Sequence, residues 1–391
     1  MRSRTSPTIS SREVHQWALN WLIESMRMKD HGWLCTASVV WNIVLRAAAR
    51  TSPLCAACRD LAEGPSDQAV FDALADGLPE TLRVLEDRLN GALVDRLPRR
   101  LQRRSWPVAI DWLLVPYYGE PKQSRNEIFY GKPRQGTKKF HAYATACIVS
   151  HGVRYTLAVT WVRRHETTVL ALGRLLARIR EKGLKIRRLL LDRAFFSAQL
   201  THFLQAEQIP FLMPVMFRGR TIQNKKKKKP TGLHWIKRQK AGSYPHTLQN
   251  KTQTAAITVY VAYRTHKNRK DGKRKQQKLL FAAWRVRGSP QEIRNTYRQR
   301  FGIESSYRQW RQARIFTCTR DPHLRLVFVV IGLLLRNVWV WIHETLLAEG
   351  AGNSMTLHLE QLRFRRMLDW IALEVVAQLH DGTPPYVELN E

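Results

Sequence analysis

Acidic residues are scarce in this chain. Of 391 residues only 31 are Asp or Glu, against 65 Lys or Arg, which leaves a formal net charge of +34. Such a balance excludes an acidic surface and points to a polyanionic partner, nucleic acid ahead of an anionic membrane. Cysteine is sparse as well. Five residues, an odd number, exclude a disulfide framework in a chain this long. Cys55 and Cys58 form a lone CxxC with no second pair and no downstream His-x3-His, so they read as packing residues and not as zinc ligands. Long apolar runs are also missing. The most hydrophobic stretch, "LRLVFVVIGLLLRNVWVWI" at 324–342, is interrupted by Arg336 and Asn337 and keeps only ten uninterrupted residues, Leu326 to Leu335. That length suits a buried helix, and no membrane association is expected. The basic N-terminus lacks the apolar core and cleavage site of an export signal, so a cytoplasmic, nucleoid-associated protein is expected.

What is present divides the chain into five segments. Residues 1–104 carry helical i, i+3, i+4 apolar spacing in "SREVHQWALNWLIESM", "CTASVVWNIVLRAAAR", "SDQAVFDALADGL" and "LPETLRVLEDRLNGALVDRL". The first hundred residues hold 13 Lys or Arg and 12 acids, so this helical domain is nearly neutral; docking to DNA ends and packing or dimerisation are equal readings of it. From 105 to 216 the texture changes to strands. "WPVAIDWLLV" carries Asp111; "FHAYATACIVS" and "VRYTLAVTWV", split by Gly152, read as a hairpin; a helix, "IRRLLLDRAFF" with Asp192 at its end, a second helix and "IPFLMPV" follow. The order β-β-β-α-β-α-β, with an acid on the first strand and another closing the fourth, is that of a ribonuclease-H-like mixed α/β sheet. One more helix bearing a third acid is expected.

Residues 217–288 interrupt that pattern. Between 217 and 287 stand 21 Lys or Arg and one acid, Asp271, including "KKKKK" at 225–229 and "KNRKDGKRKQQK" at 267–278. "AAITVYVAYRTH" and "KLLFAAWRV" read as strands, so the segment is expected to be an inserted, basic, mainly-β domain that tracks DNA. Residues 289–345 then resume the core with a helix capped by Ser289 and opened by Pro290, and 346–391 form a C-terminal helical region; the stretch from 323 to about 380, the apolar helix and the helix after it, is expected to close the core and cover the sheet edge.

The resumed helix contains "TYRQRFGIESSYRQWRQ", residues 296–312, with one glutamate among basic residues. On a continuous helix Tyr297, Arg300, Glu304 and Arg311 fall within roughly 60° of one another. The plain alternative is an i,i+4 ladder, Arg300 to Glu304 to Arg308. Yet the spacing Tyr297-x2-Arg300-x3-Glu304-x6-Arg311 resembles the Y-(2)-R-(3)-E-(6)-K signature of the DDE transposases of bacterial insertion sequences that carry a β-strand insertion before the last catalytic helix. Arg311 departs from it by replacing Lys. "AIDWLLVPYYG" and "LLLDRAFFS" are similar to the family's first two acidic motifs, and "LLLRNVWVWI" to its apolar C-terminal helix; the resemblance covers roughly 105–345.

The chemistry of phosphodiester transfer agrees. It needs two divalent ions held by hard oxygen ligands, which two or three carboxylates supply. The resemblance implies that Asp111, Asp192 and Glu304 are both the catalytic residues and the ligands of two Mg²⁺ ions, with Mn²⁺ able to substitute. Arg300 is expected to pair with Glu304 until metal arrives. Glu120, Glu127 and Asp321 are fallback ligands. By the same resemblance Tyr297, Arg300 and Arg311 grip phosphates, Arg308 joins the DNA-binding set, and Trp235 or Trp284 receives a flipped base. Lys138, Lys139 and His141, beside the second strand, are further phosphate contacts or simply surface charge. The implied function is cut-and-paste transposition: hydrolysis and strand transfer at terminal inverted repeats, into target DNA, by a homodimer on DNA. A ribonuclease-H-like nuclease without strand transfer, or an inactive DNA-binding descendant, are the alternatives.

Overall fold

The computed structural model describes residues 8–61, 64–217, 232–267, 272, 274–350 and 355–379, without the side chains of 232, 266 and 267. The lysine run 225–229 and Asp271 lie outside the described residues. Six helices open the chain: α1 (Ser11–Met26), α2 (Ala37–Arg50), α3 (Leu54–Arg59), α4 (Asp67–Gly77), α5 (Leu82–Val94) and α6 (Arg100–Arg103). Their starts follow ordinary capping chemistry. Ser10 and Glu13 form a capping box on α1, while Thr36 and Ser66 accept the third backbone N–H of α2 and α4. Cys58 is buried on α3 and burial pushes its thiol up to about 12, which suits the packing role expected of it.

The core is one mixed sheet with helices on both faces. Its strands are β1 (Ser105–Pro116), β2 (Phe129–Arg134), β3 (Thr137–Ile148), β4 (Thr156–Val162), β5 (Lys185–Leu191) and β6 (Phe211–Pro214), with α7 (Thr168–Glu181) between β4 and β5 and α8 (Ala198–Ala206) between β5 and β6. β3 runs antiparallel to β1 on one side and to β4 on the other, β1 runs parallel to β5, and β5 parallel to β6. This is the ribonuclease-H-like arrangement. Gly152 turns the β3–β4 hairpin at φ +72, where a side chain is disfavoured. The short β2, which pairs with the first half of β3, has no apolar alternation and was not legible in the sequence.

The basic insertion extends the same sheet. β7 (Gly242–Gln249), β8 (Thr254–Lys267) and β9 (Arg274–Trp284) add to the open edge through β9, which runs antiparallel to β6. β7 alternates half-buried and exposed residues and includes Pro245, so its strand signal is weak; as the outer edge strand it tolerates a residue without an N–H.

Beyond it come α9 (Pro290–Arg298), α10 (Phe301–Trp310), α11 (Pro322–Ile342) and α12 (Phe364–Leu379). The single helix expected from Ser289 onward is thus two helices. Between them the backbone bonds tighten to i→i−3: Gln299 N–H to Thr296 O, Arg300 to Tyr297, Gly302 to Gln299 and Ile303 to Arg300, at 3.0–3.2 Å.

α11 contains the long apolar run and passes the length and hydropathy criteria for a membrane span, but 94% of that window is buried inside the protein. Its two polar interruptions explain the burial. Asn337 accepts from Thr156 N–H and donates to Thr156 O and Leu93 O, at 2.8–3.0 Å, so it joins the helix to β4 and α5. α12 departs from expectation: it packs on α1 and α2 and not on the sheet edge. Met367, Leu368, Ile371, Ala372 and Val375 form its buried stripe, and Arg46 of α2 donates to Ala372 O at 2.8 Å. The C-terminal region therefore completes the N-terminal helical module.

Candidate active site

Strand periodicity decides where the acids point. Along β1, Val108 and Ile110 face the main core, whereas Ala109 faces a second cluster beneath α9 and α10 that includes Leu190, Leu212, Ile293 and Ile303. Side chains alternate, so Asp111 and Asp192 fall on the α9–α10 side with Ala109 and Leu190. Parallel pairing supplies the other coordinate. Ile110 sits opposite Leu191, so the next residue of each strand is one of the two aspartates. The adjacency of the first and fourth predicted strands is thus observed.

α10 brings Glu304 to the same place. Tyr307, one turn further on, bonds Thr145 at 2.6 Å and donates to the Asp111 carbonyl at 3.2 Å, so it clamps the helix to β1 and β3. The indole N–H of Trp310 donates to Val329 O at 3.0 Å. A Cβ on Gly332 would stand 2.8 Å from both Ala313 O and the Trp310 ring, so only glycine lets α11 approach the end of α10 this closely. Gly302 is tight for a similar reason, with Val149 3.2 Å from its would-be Cβ.

At the centre lies Arg300, only 5% exposed. One guanidinium meets all three acids: Nη2 stands 2.8 Å from Asp111 Oδ2 and 3.8 Å from Asp192 Oδ1, and Nη1 stands 2.8 Å from Glu304 Oε1. The expected i,i+4 pair is therefore real but is only one arm of a three-way contact. Burial raises the Asp111 pKa from 3.8 to about 6, against the pull of Arg300 and the Trp112 N–H and helped by Asp192 and Glu304. For Arg300, burial opposes the charge, but Asp111, Tyr297, Asp192 and Glu304 outweigh it and hold the pKa above its ordinary value. Burial likewise pushes the Tyr297 hydroxyl up.

Beside this group opens a cleft of about 890 Å³. Asp192, Tyr297 and Phe301 line it together with six cations, Arg193, Lys237, Arg264, Lys278, Arg294 and Arg298. Of the six, Lys237, Arg264 and Lys278 belong to the insertion expected to track DNA, Lys278 closing its quoted basic run, but none was named as a site residue. Arg294 and Arg298 had a legible signal, an i,i+4 basic pair on the helix of Tyr297; Lys237, Arg264 and Lys278 reach the cleft only because β8, β9 and the turn Gly232–Arg238 fold over β6.

Other predicted residues stand elsewhere. Arg311 lies past the end of α10 in a short 3-10 turn, exposed, and contacts none of the three carboxylates. The continuous helical face assumed for it ends at Trp310. Arg308 is exposed and bonds Ser305 at 3.0 Å. Trp284 is paired with Phe211, at the start of β6 and so at the end of the sheet away from the carboxylates; it stacks on Phe211 at 6.4 Å beneath Arg285. Trp235 packs edge-on against Tyr244 at 6.0 Å. Neither tryptophan lines the cleft. Lys139 pairs with Glu120, Lys122 with Asp321, and Glu127 accepts the N–H groups of Lys122, Gln123 and Ser124, which commits all three fallback acids to structural contacts. His141 is buried with both ring nitrogens unpaired, which removes it from any exposed phosphate-binding face.

Among the described residues no three His, Cys, Asp or Glu side chains stand at metal-cluster spacing. The donor chemistry nonetheless suits a hard divalent cation, because Asp111, Asp192 and Glu304 converge on a single positive group and offer only carboxylate oxygens.

The transposase DDE domain family matches residues 102–337, which span all three carboxylates. Among solved structures the chain is similar to the piggyBac transposase synaptic complex with hairpin DNA, at 11% identity and a TM-score of 0.53, over 98% of this chain and 84% of that one. No curated protein matches the chain. At that identity the structural likeness speaks for the fold, while the family match covers well over half of the sequence: the chain belongs to the transposase DDE domain family.

Proposed function

We propose that this transposase moves a bacterial insertion sequence by cut and paste, through hydrolysis at terminal inverted repeats followed by strand transfer into target DNA. The observation that carries this reading is the convergence of Asp111, Asp192 and Glu304, from β1, β5 and α10, at the mouth of a cleft lined by six cations and one acid. These three residues are the proposed catalytic carboxylates and would hold two divalent ions, Mg²⁺ or Mn²⁺. Bound there, the ions supply activation of the attacking water or 3′-hydroxyl and stabilisation of the leaving oxygen. The chain's own residues do the rest. The cleft cations neutralise and orient the DNA backbone, and Tyr307 and Trp310 hold Glu304 against the sheet so that the third carboxylate stays in register.

Tyr297, Arg300, Glu304 and Arg311 are read as a Y-R-E-R variant of the family signature. Because Arg311 stands apart from the carboxylates, its proposed role is to contact backbone phosphate outside the reacting centre, with Arg308 beside it. Residues 1–104 with α12 form a helical module for DNA ends or pairing of two chains, and 217–288 form the basic arm. A homodimer that holds two ends follows from the reaction, since both ends must join one target.

The test is strand transfer of 3′-OH terminal-repeat oligonucleotides into a supercoiled plasmid with Mg²⁺. Wild type is expected to yield joined product. Asp192→Asn and Glu304→Gln are expected to lose it on the order of 10³-fold or more, the scale of several kcal/mol of lost charge stabilisation. Plasmid nicking without joining would instead indicate a nuclease.

A further inference from the structure

We infer that Arg300 is a displaceable stand-in for the divalent ions: it holds the three carboxylates together when no substrate is bound, and leaves them when a DNA phosphate engages its guanidinium. DNA and metal would then bind with positive coupling through one side chain. This rests on the reading of Asp111, Asp192 and Glu304 as metal ligands.

Four observations carry it. First, the three acids have no other cation within ion-pair distance among the described residues; Asp192 and Glu304 have only Arg300, and Asp111 has Arg300 and the Trp112 N–H. Without Arg300 three like charges would face one another, which a cation relieves and an empty site does not. Second, the position of the charge is the one a metal needs, yet the acids are not at metal spacing while the guanidinium lies among them. Guanidinium and metal therefore compete for the same oxygens. Third, a rival anion can arrive. The cleft is lined by Asp192, which Arg300 faces, and by Tyr297 and Phe301, which flank Arg300 in sequence; its other charged lining residues are all cations, so it draws phosphates to the neighbourhood of an arginine already engaged with acids. A phosphate offers a guanidinium two parallel charge-assisted bonds, a fair exchange for its present contacts. Fourth, Arg300 sits in the run of i→i−3 bonds between α9 and α10, the kind of mid-helix stretch that serves as a hinge. Asp192 and Glu304 are 43% and 47% exposed in their side chains, so two of the three contacts to be broken are at the solvent edge.

Linkage makes the idea measurable without catalysis. Mn²⁺ binding would be followed by electron paramagnetic resonance of the free ion, with full-length protein and no DNA. Arg300→Gln is expected to bind Mn²⁺ about tenfold or more tighter than wild type. Adding a short oligothymidylate is expected to tighten Mn²⁺ binding to wild type and to leave Arg300→Gln unchanged. Asp192→Asn in the Arg300→Gln background is expected to abolish the gain. Equal Mn²⁺ affinity in wild type and Arg300→Gln would overturn the inference. If neither binds Mn²⁺ better than its Asp192→Asn counterpart, with or without the oligonucleotide, the metal-ligand reading itself fails. Should Arg300→Gln not fold, as judged by circular dichroism, Arg300→Lys answers the same question: lysine keeps the charge but lacks the planar fork whose two nitrogens reach carboxylates on different elements at once, so its Mn²⁺ affinity is expected to exceed that of wild type, and equality sinks the proposal.

Discussion

Two buried arginines, Arg300 and Arg336, show how differently the same side chain can be used. Arg300 is 5% exposed and faces carboxylates from three separate elements, so its charge is held above its ordinary range. Arg336, on α11, is 1% exposed and has no carboxylate within ion-pair distance among the described residues. It donates to Gln309 Oε1 at 3.1 Å and to the Arg154 carbonyl, and burial pulls its pKa down. Neutral acceptors on fixed backbone and packed helix bind a cation in one geometry and have no use for another ion. Three carboxylates of which two reach solvent would accept any cation of suitable size. The first environment builds structure, and the second builds a site.

Substitutions should separate the two. Losing Arg336 should cost most: Arg336→Ala leaves a cavity and two orphaned acceptors between α11, α10 and the β3–β4 turn, and is expected to destabilise the fold by about 3 kcal/mol in chemical denaturation. Arg300→Gln should cost clearly less and should change metal affinity, which Arg336→Ala should not. If the two variants destabilise equally, the contrast drawn between them is wrong.

Next in size is the close approach at Gly332. Gly332→Ala forces α11 away from Trp310 and Ala313 and is expected to cost roughly 1–3 kcal/mol, with strand transfer falling further than stability alone explains, because α10 carries Glu304. A variant as stable and active as wild type would show that α10 is not held from this side.

The smallest effect is that of pH. Folding raises the Asp111 pKa, so the folded chain takes up this proton more readily than the unfolded one, and the group's contribution to stability declines as pH rises from about 4 to about 6. Its protonated form, populated below about 6, is a poor ligand. Mn²⁺ affinity of the wild type should therefore fall by up to about tenfold per pH unit below that midpoint and level off above it. An affinity that is flat between about pH 5 and about pH 7 would remove Asp111 from the ligand set.

Much of this was readable in advance for a physical reason: local patterns are encoded locally. The cap at Ser289, the apolar runs of β1 and β3, and the acid closing β5 are all short-range signals. Parallel pairing of β1 with β5 is what the ribonuclease-H-like order of elements implies, and α7 makes it by carrying the chain from β4, on the far side of β3, to a place beside β1. Helix continuity was not readable. Tyr297 to Arg311 carries no proline and reads as one helical face, yet the chain changes to i→i−3 bonding at Arg300, where contacts with two distant strands outweigh local propensity.

The sequence by itself determined the class of fold, the excess of positive charge, and which three acids sit at positions that a sheet and a helix can bring together. Periodicity, chain order and composition suffice for the first two, and the choice of the three acids rests on the resemblance of their motifs to those of DDE transposases. Only the tertiary structure decided that one guanidinium joins the three carboxylates, that Arg311 and both candidate tryptophans stand apart from them, and that the insertion brings Lys237, Arg264 and Lys278 into a basic cleft beside Asp192. Those outcomes depend on strand register and on how closely α11 can approach α10, and distances between residues far apart in the chain are set by packing, which no local pattern records.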